Sequence, residues 1–376
     1  LGPVPAYGDI LVTDPSAIHG EETPLSQQLE SDRSLLSRLD RMLAGQGTIC
    51  LNCYMFTEAE SRLARLLESV LGRKVLRAGG NAALVGKASQ KHVARAMAQD
   101  IGIPVSPGET VMLPLRADGR PRDLVQMESA IRAWLPLTNR VIIRGTLGAS
   151  GSSTFVVDSS VESRKRALAE VGERADNSVY LVEAMLPTTA SPNIGMFISP
   201  ADGRISCASV TDQVLKDDVA YSGSVFPSRA ENLDAMIDAA HALAGRLRDG
   251  GMTGHVGFDF CECASAPGGS PKFFLAEINP RINGATYATA IAQKLNAGLM
   301  RAGVRPVGAF ATMFVGTEAR TFGELRRLRG KDFFDAVKGV GIVPFNTGCL
   351  AYGRCVLAVL GESRDQVRAL CRAVGK

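Results

Sequence analysis

Glu277 and Asn279 stand two residues apart in an apolar run, and on a strand that spacing turns both side chains to one face. Asp259 lies in the run 255–263, and a Pro/Gly-rich turn joins that run to 272–279 as a hairpin. Asp259 can therefore meet the other two. Two carboxylates and an amide oxygen are hard ligands. They suit Mg²⁺, which binds few protein groups and leaves positions for phosphate oxygens. Phe258, Phe260, Phe274 and Ile278 alternate onto the opposite, apolar face. An acid on such a strand is costly without a partner, which favours a ligand role over a surface ion pair. The chain then leaves the strand through Pro280, Arg281, Asn283 and Gly284. A guanidinium there can neutralise charge developing on a transferring phosphoryl group.

A second stretch, 141–157, reads strand, glycine-rich turn, strand. Arg144 ends the first strand. Gly145, Gly148 and Gly151 follow at spacing three, among Ser150, Ser152, Ser153 and Thr154. Their N–H groups and hydroxyls can fold over phosphates. A Rossmann turn or a P-loop needs a helix straight after the glycines, and here a strand follows. A plain hairpin is the other reading. Gly80, Gly86 and Lys87 miss a P-loop by one residue of spacing and by Ala88, where Mg²⁺ requires Ser or Thr. A third stretch, 179–186, is apolar but for Glu183. Its main chain can hydrogen-bond an adenine edge, with Glu183 on the side of the exocyclic amine. A buried strand ending at a charge fits equally.

Helices and strands must hold these pieces in place. Thr23 and Pro24 suit a helix start, and Leu25, Leu29, Leu36, Leu39 and Leu43 keep helical spacing up to Gly45. A strand at 48–51 follows. Thr57 and Glu60 form a capping box for a helix ended by Gly72. Further helices are expected at about 89–100, 159–174, 231–248 and 285–299. The chain has 376 residues and 45% hydrophobic content, enough for two or three domains and too apolar for a disordered chain. Lys+Arg 42 against Asp+Glu 38 leaves a net +4, so no nucleic-acid or other polyanion partner is expected. The uncharged run 184–201 is too rich in Pro and polar residues to span a bilayer. No signal-peptide pattern is visible. The eight cysteines lack zinc spacing and read as reduced thiols of a cytoplasmic protein.

Phosphate-covering hairpin, adenine strand and metal hairpin occur in that order. Together they resemble the ATP-grasp superfamily over about 85–298, most specifically in Glu277-Ile-Asn279-Pro280-Arg281-Ile-Asn283-Gly284. The resemblance implies an ATP-grasp fold of α+β and α/β character. It divides the chain into an N-terminal α/β domain (1–84), the ATP-binding and catalytic region (85–298) and a small C-terminal α/β cap (299–376). It implies Asp259, Glu277 and Asn279 as ligands of Mg²⁺, with Mn²⁺ as a substitute. It implies Lys87, Arg144, Gly148, Ser150, Gly151, Ser152 and Ser153 at the ATP phosphates. Glu183, Ala184 and Met185 match the adenine linker, and Asn193 stands where a ribose-binding acid is common. Two further departures are Arg144, where Lys is usual, and Gly257, where an Arg is common two residues before the metal Asp. Arg281 or His255 is left to supply that charge.

The implied reaction is ligation. A carboxylate takes the γ-phosphoryl group, and an amine attacks the acyl phosphate. Arg281, Asn283 and Arg144 are the expected catalytic residues, and no nucleophilic side chain is required. The partners are a small carboxylate, such as an amino acid, and an amine or peptide, and many such ligases are homodimers. A narrower resemblance, to bacterial peptide ligases of the pheganomycin-biosynthesis type, implies peptide-bond formation in antibiotic biosynthesis. It rests on Thr211-Asp-Gln213, Tyr221-Ser-Gly223 and Pro344-Phe-Asn346 with their neighbours. A phosphotransferase that stops at the phosphorylated product, and an ATP-binding module without turnover, share the same nucleotide residues.

Overall fold

The computed structural model describes residues 25–45, 47–148, 153–175, 177–264 and 272–375. The leucine spacing near the start predicts one helix, but the structure has two, α1 (Leu25–Ser31) and α2 (Arg33–Met42). Asp32 breaks the run: its carboxylate accepts from Leu35 N at 3.0 Å and caps α2. A parallel pair, β1 (Thr48–Asn52) and β2 (Lys74–Ala78), flanks α3 (Glu58–Leu71) in sequence. The expected capping box is formed, with Thr57 N donating to Glu60 Oε2 at 2.9 Å and Ala59 N to Thr57 Oγ1 at 3.2 Å. Gly72 stops α3 in the left-handed region.

Two helices follow, α4 (Ala82–Ala88) and α5 (Lys91–Asp100). The expected domain boundary at residue 84 falls inside α4. Next come β3 (Gly108–Met112), α6 (Val125–Thr138), β4 (Arg140–Gly145), β5 (Thr154–Asp158), α7 (Val161–Gly172) and β6 (Val179–Ala184). The four strands make an antiparallel sheet in the order β3-β6-β4-β5. Its apolar face, with Ile143, Val157 and Tyr180, packs on Met127 and Ile131 of α6.

The remaining strands build one large sheet. They are β7 (Thr188–Ala190), β8 (Pro192–Ile198), β9 (Ile205–Lys216), β10 (Ala220–Phe226), β11 (Gly254–Cys263), β12 (Lys272–Asn279), β13 (Ala309–Gly316), β14 (Gly341–Phe345) and β15 (Arg354–Gly361). The helices between and after them are α8 (Leu233–Asp249), α9 (Gly284–Arg301), α10 (Phe322–Arg329) and α11 (Arg364–Val374). The order is β12-β11-β8-β9-β10-β13-β15-β14, with β7 against β11. The segment expected as a C-terminal cap continues this sheet, since Val225 of β10 lies opposite Ala311 of β13. Met236, Ala240, Leu243 and Leu247 of α8 bury against Phe258, Phe260 and Ile278. Glu262, buried at the α8 N-terminus, accepts from Glu231 N at 2.9 Å and Asn232 N at 2.8 Å. No helix among the described residues is long and apolar enough to cross a membrane.

One irregularity positions the site. Asp259 faces Glu277, but Phe260 faces Leu275, so Ala276 is an extra residue in β12. Such a bulge reverses the in/out alternation beyond it. Leu275 and Phe273, rather than the expected Phe274, therefore join Phe258 and Phe260 in the core. The Ala276 carbonyl turns to Arg144, accepting from its Nη1 at 2.9 Å.

Candidate active site

Asp259 and Glu277 pair across the β11–β12 hairpin, as their spacing predicts. Asn279 Nδ2 donates to Asp259 Oδ2 at 2.8 Å, and Asn193 Nδ2 donates to the other oxygen at 2.5 Å. Burial, and then the charge of Glu277 beside it, raise the Asp259 carboxyl to a pKa of about 7; the two amides and Arg281 only partly offset this. Two half-buried acids held face to face repel each other in the empty protein and suit a divalent cation. The donor set therefore fits Mg²⁺ at Asp259 and Glu277, with Asn279 beside them.

This has a consequence for pH. An Asp titrating near 3.8 when unfolded and near 7 when folded binds more protons in the folded state between those values. Its contribution to stability therefore falls as pH rises from about 4 to about 7. Above pH 7 the ionised pair is open to a cation without competition from a proton. We expect Mg²⁺ to raise the melting temperature more at pH 8 than at pH 6, as thermal unfolding with and without the ion will read. An equal rise at both values would separate Asp259 from the metal.

The cation expected at the phosphates is Lys87, but the structure leaves it exposed on α4. Lys91, at the first position of α5, reaches the carboxylates instead. It is 7% exposed, with Nζ 3.7 Å from Glu277 Oε2 and donating to the Gly148 carbonyl at 3.2 Å. Burial pulls its pKa below the ordinary lysine value, against the opposite pull of Glu277. The turn after β4 is tied to the same helix, for Lys91 N donates to Thr146 O at 3.3 Å and His92 Nδ1 meets Thr146 Oγ1 at 2.6 Å. Gly148 is thus at the site. Ser153 is buried at the base of the hairpin, where its hydroxyl accepts from Arg174 at 3.0 Å. Ser150, Gly151 and Ser152 lie outside the described residues.

The roles expected of Arg144 and Glu183 need correction. Glu183 is 2% exposed and engaged on both oxygens. Arg95 Nη1 donates to Oε1 at 2.7 Å and Arg144 Nε to Oε2 at 3.0 Å. Arg95 also donates to the carbonyls of Ser106 and Gly108. Burial works against the Arg144 charge, and Glu183 overcomes it, leaving the pKa above the ordinary value. Arg144 is therefore bound to the protein rather than free for phosphate, and Glu183 serves as the shared counter-ion of the two arginines. Ala184 N donates to Pro107 O at 2.8 Å, its carbonyl accepts from Ser106 Oγ at 3.2 Å, and Met185 N donates to Arg140 O at 3.0 Å. These groups of the expected adenine edge are already paired.

Arg281 stands at the carboxylates, with Nη2 donating to Asn279 Oδ1 at 2.8 Å. Its other arm donates to the Tyr54 hydroxyl at 3.0 Å, and the guanidinium lies 5.5 Å from that ring's centre. Tyr54 comes from the segment after β1, which gives no sequence sign of such a role. Asn283 caps α9, its Oδ1 accepting from Ala285 N and Thr286 N at 3.1 Å, and its Nδ2 donates to Asn193 Oδ1 at 3.3 Å. It positions the site from the helix end. A Cβ at Gly257 would come within 2.2 Å of Asn283 Nδ2, so the amide occupies the space a side chain would need there. His255 instead packs against Phe197 with ring centres 4.9 Å apart. Arg281, not His255, is the charge beside Asp259 and Asn279.

These groups open into a cavity of about 910 Å³ whose walls include Asp259, Glu277, Asn279, Arg281 and Asn283. No family model matches the chain, and neither does any curated protein. Solved structures do match it. N5-carboxyaminoimidazole synthetase from Staphylococcus aureus, complexed with ADP, is 11% identical with a TM-score of 0.59, covering 91% of this chain and 83% of that one. Carboxyaminoimidazole ribonucleotide synthase from Aspergillus clavatus, complexed with ATP, is 14% identical at 0.56, covering 86% and 85%. Biotin carboxylase from Campylobacter jejuni, as a β,γ-ATP complex, is 14% identical at 0.56, covering 90% and 76%. The architecture of this chain is the multidomain ATP-grasp fold.

Proposed function

We propose that the protein is an ATP-dependent ligase that activates a carboxylate as an acyl phosphate and couples it to an amine. The observation that carries this is the half-buried Asp259–Glu277 pair in the wall of a cavity, with buried Lys91 3.7 Å from Glu277 and Arg281 on Asn279. An arrangement of acids that favours a divalent cation, next to a buried cation, suits a polyphosphate.

Asp259 and Glu277 would hold Mg²⁺, which when bound would neutralise charge on the ATP phosphates. Lys91 balances the negative charge of the γ-phosphoryl group. A substrate carboxylate oxygen attacks that phosphorus, the bond to the β-phosphate oxygen breaks, and ADP leaves. Arg281 then faces the carbonyl of the acyl phosphate and stabilises the oxyanion formed when the amine adds. The amine loses a proton, phosphate departs, and an amide remains.

The finer reading is peptide-bond formation between an amino acid and a peptide, as in the antibiotic-forming peptide ligases the sequence resembles. Its test is ADP release over amino acids and short peptides, with product masses recorded. With ATP, Mg²⁺ and the right carboxylate, hydroxylamine should enter in place of the amine and yield a hydroxamate. A stable phosphorylated product that no amine consumes would move the protein to the phosphotransferases. Tight ATP binding without turnover would make it a binding module.

A further inference from the structure

Two kinds of residue line the cavity. One kind is charged: Asp259, Glu277 and Arg281 are the only charged side chains among the described residues that line it. The other is an aromatic wall of Tyr221 of β10, Tyr287 of α9, Phe314 of β13 and Phe345 of β14, with Gln213 and Asn346 as neutral polar groups. The rings stand in two pairs. Tyr221 meets Phe314 edge-on at 6.4 Å, and Tyr287 lies tilted against Phe345 at 6.1 Å. Phe314 is 60% exposed and Tyr287 41%. Large rings are ordinarily buried, so two left open inside a concave wall mark a surface that something else covers.

The backbone makes room for this wall. A Cβ at Gly284 would come within 2.3 Å of the Tyr221 hydroxyl, which is held by Ser224 Oγ at 2.9 Å. The wall adjoins the charged residues. Tyr221 lies near enough to Asp259, and Tyr287 to Arg281, for each phenol to feel that charge. A phosphate or carboxylate on the distal part of a ligand would sit among these rings with no counter-charge, and would be disfavoured. A flat apolar group would stack on them.

We infer that this aromatic wall receives the uncharged, ring-bearing body of the carboxylate substrate, whose reacting carboxylate lies at Arg281. The inference rests on the ligase reading for the identity of that carboxylate. The test measures binding and turnover separately. Calorimetry with Mg²⁺ and a non-hydrolysable ATP analogue would compare phenylalanine, tyrosine and phenylacetate with glutamate, lysine and phosphoserine, and ADP release would be followed with ATP. Ring-bearing acids should bind at least ten times more tightly than the charged set. Phe314→Lys should shift the preference toward glutamate at least tenfold and leave ATP-analogue binding unchanged, and Tyr287→Lys provides a second, independent variant. Equal or tighter binding of glutamate or phosphoserine, or no binding of any ring-bearing acid, would overturn the inference. Binding of ring-bearing acids with no ADP released by any acid would leave it standing and remove the ligase reading instead.

Discussion

Glu277→Gln should lower turnover about 100-fold or more while weakening ATP binding less. The change keeps the shape of the side chain and removes one negative charge from the pair that faces across the hairpin. It also takes the counter-charge from Lys91, 3.7 Å away. Loss of a preorganised electrostatic group commonly costs about 3 kcal/mol in the transition state. ATP should still be held by contacts that do not pass through this carboxylate. Steady-state kinetics over a range of Mg²⁺ concentrations, with nucleotide binding measured alongside, will check this. Near-wild-type turnover at limiting Mg²⁺ would remove Glu277 from the site.

Glu183→Gln should act on the fold instead. Glu183 is the shared counter-ion of Arg95 and Arg144, and all three are largely out of water. Taking one partner from a buried ion pair leaves a charge without compensation and costs about 3–5 kcal/mol. Here one carboxylate serves two guanidiniums, which join α5 to β6 and β4. Arg144 also reaches the bulge carbonyl of Ala276. The loss should therefore loosen the small sheet from the large one. Urea unfolding should show a fall of that size in stability. A fall under about 1 kcal/mol would mean that both arginines find water or other partners.

The pairing of Asp259 with Glu277 across the β11–β12 hairpin was legible in the sequence because its information is local. Strand alternation alone puts Glu277 and Asn279 on one face, and the Pro/Gly turn brings Asp259 opposite them. The capping box at Thr57 and Glu60 is local in the same way. The errors arise where distant chain segments decide the outcome. Lys87 and Lys91 differ by one helical turn, and local pattern does not separate them. The break between α4 and α5 does, since it buries one and exposes the other. A signal was present: Lys91, Ala94, Arg95 and Ala98 form a single stripe on α5, and all four are buried. Two cations on a buried stripe imply partners, which are Glu277 and Glu183. The role of Glu183 could not be read from β6 alone, because its arginines come from α5 and β4. Phe274 was misplaced by the bulge at Ala276, an extra residue with no composition of its own to announce it. Tyr54 reaches Arg281 across 227 residues of sequence.

The central claim is that a carboxylate oxygen attacks the γ-phosphorus of ATP. Its most direct test uses a substrate carboxylate labelled with ¹⁸O, once the ADP-release screen has supplied one. Mass spectrometry of the products should find one ¹⁸O in the released phosphate, with ADP as the nucleotide. Unlabelled phosphate, or AMP and pyrophosphate in place of ADP, would contradict the acyl-phosphate mechanism.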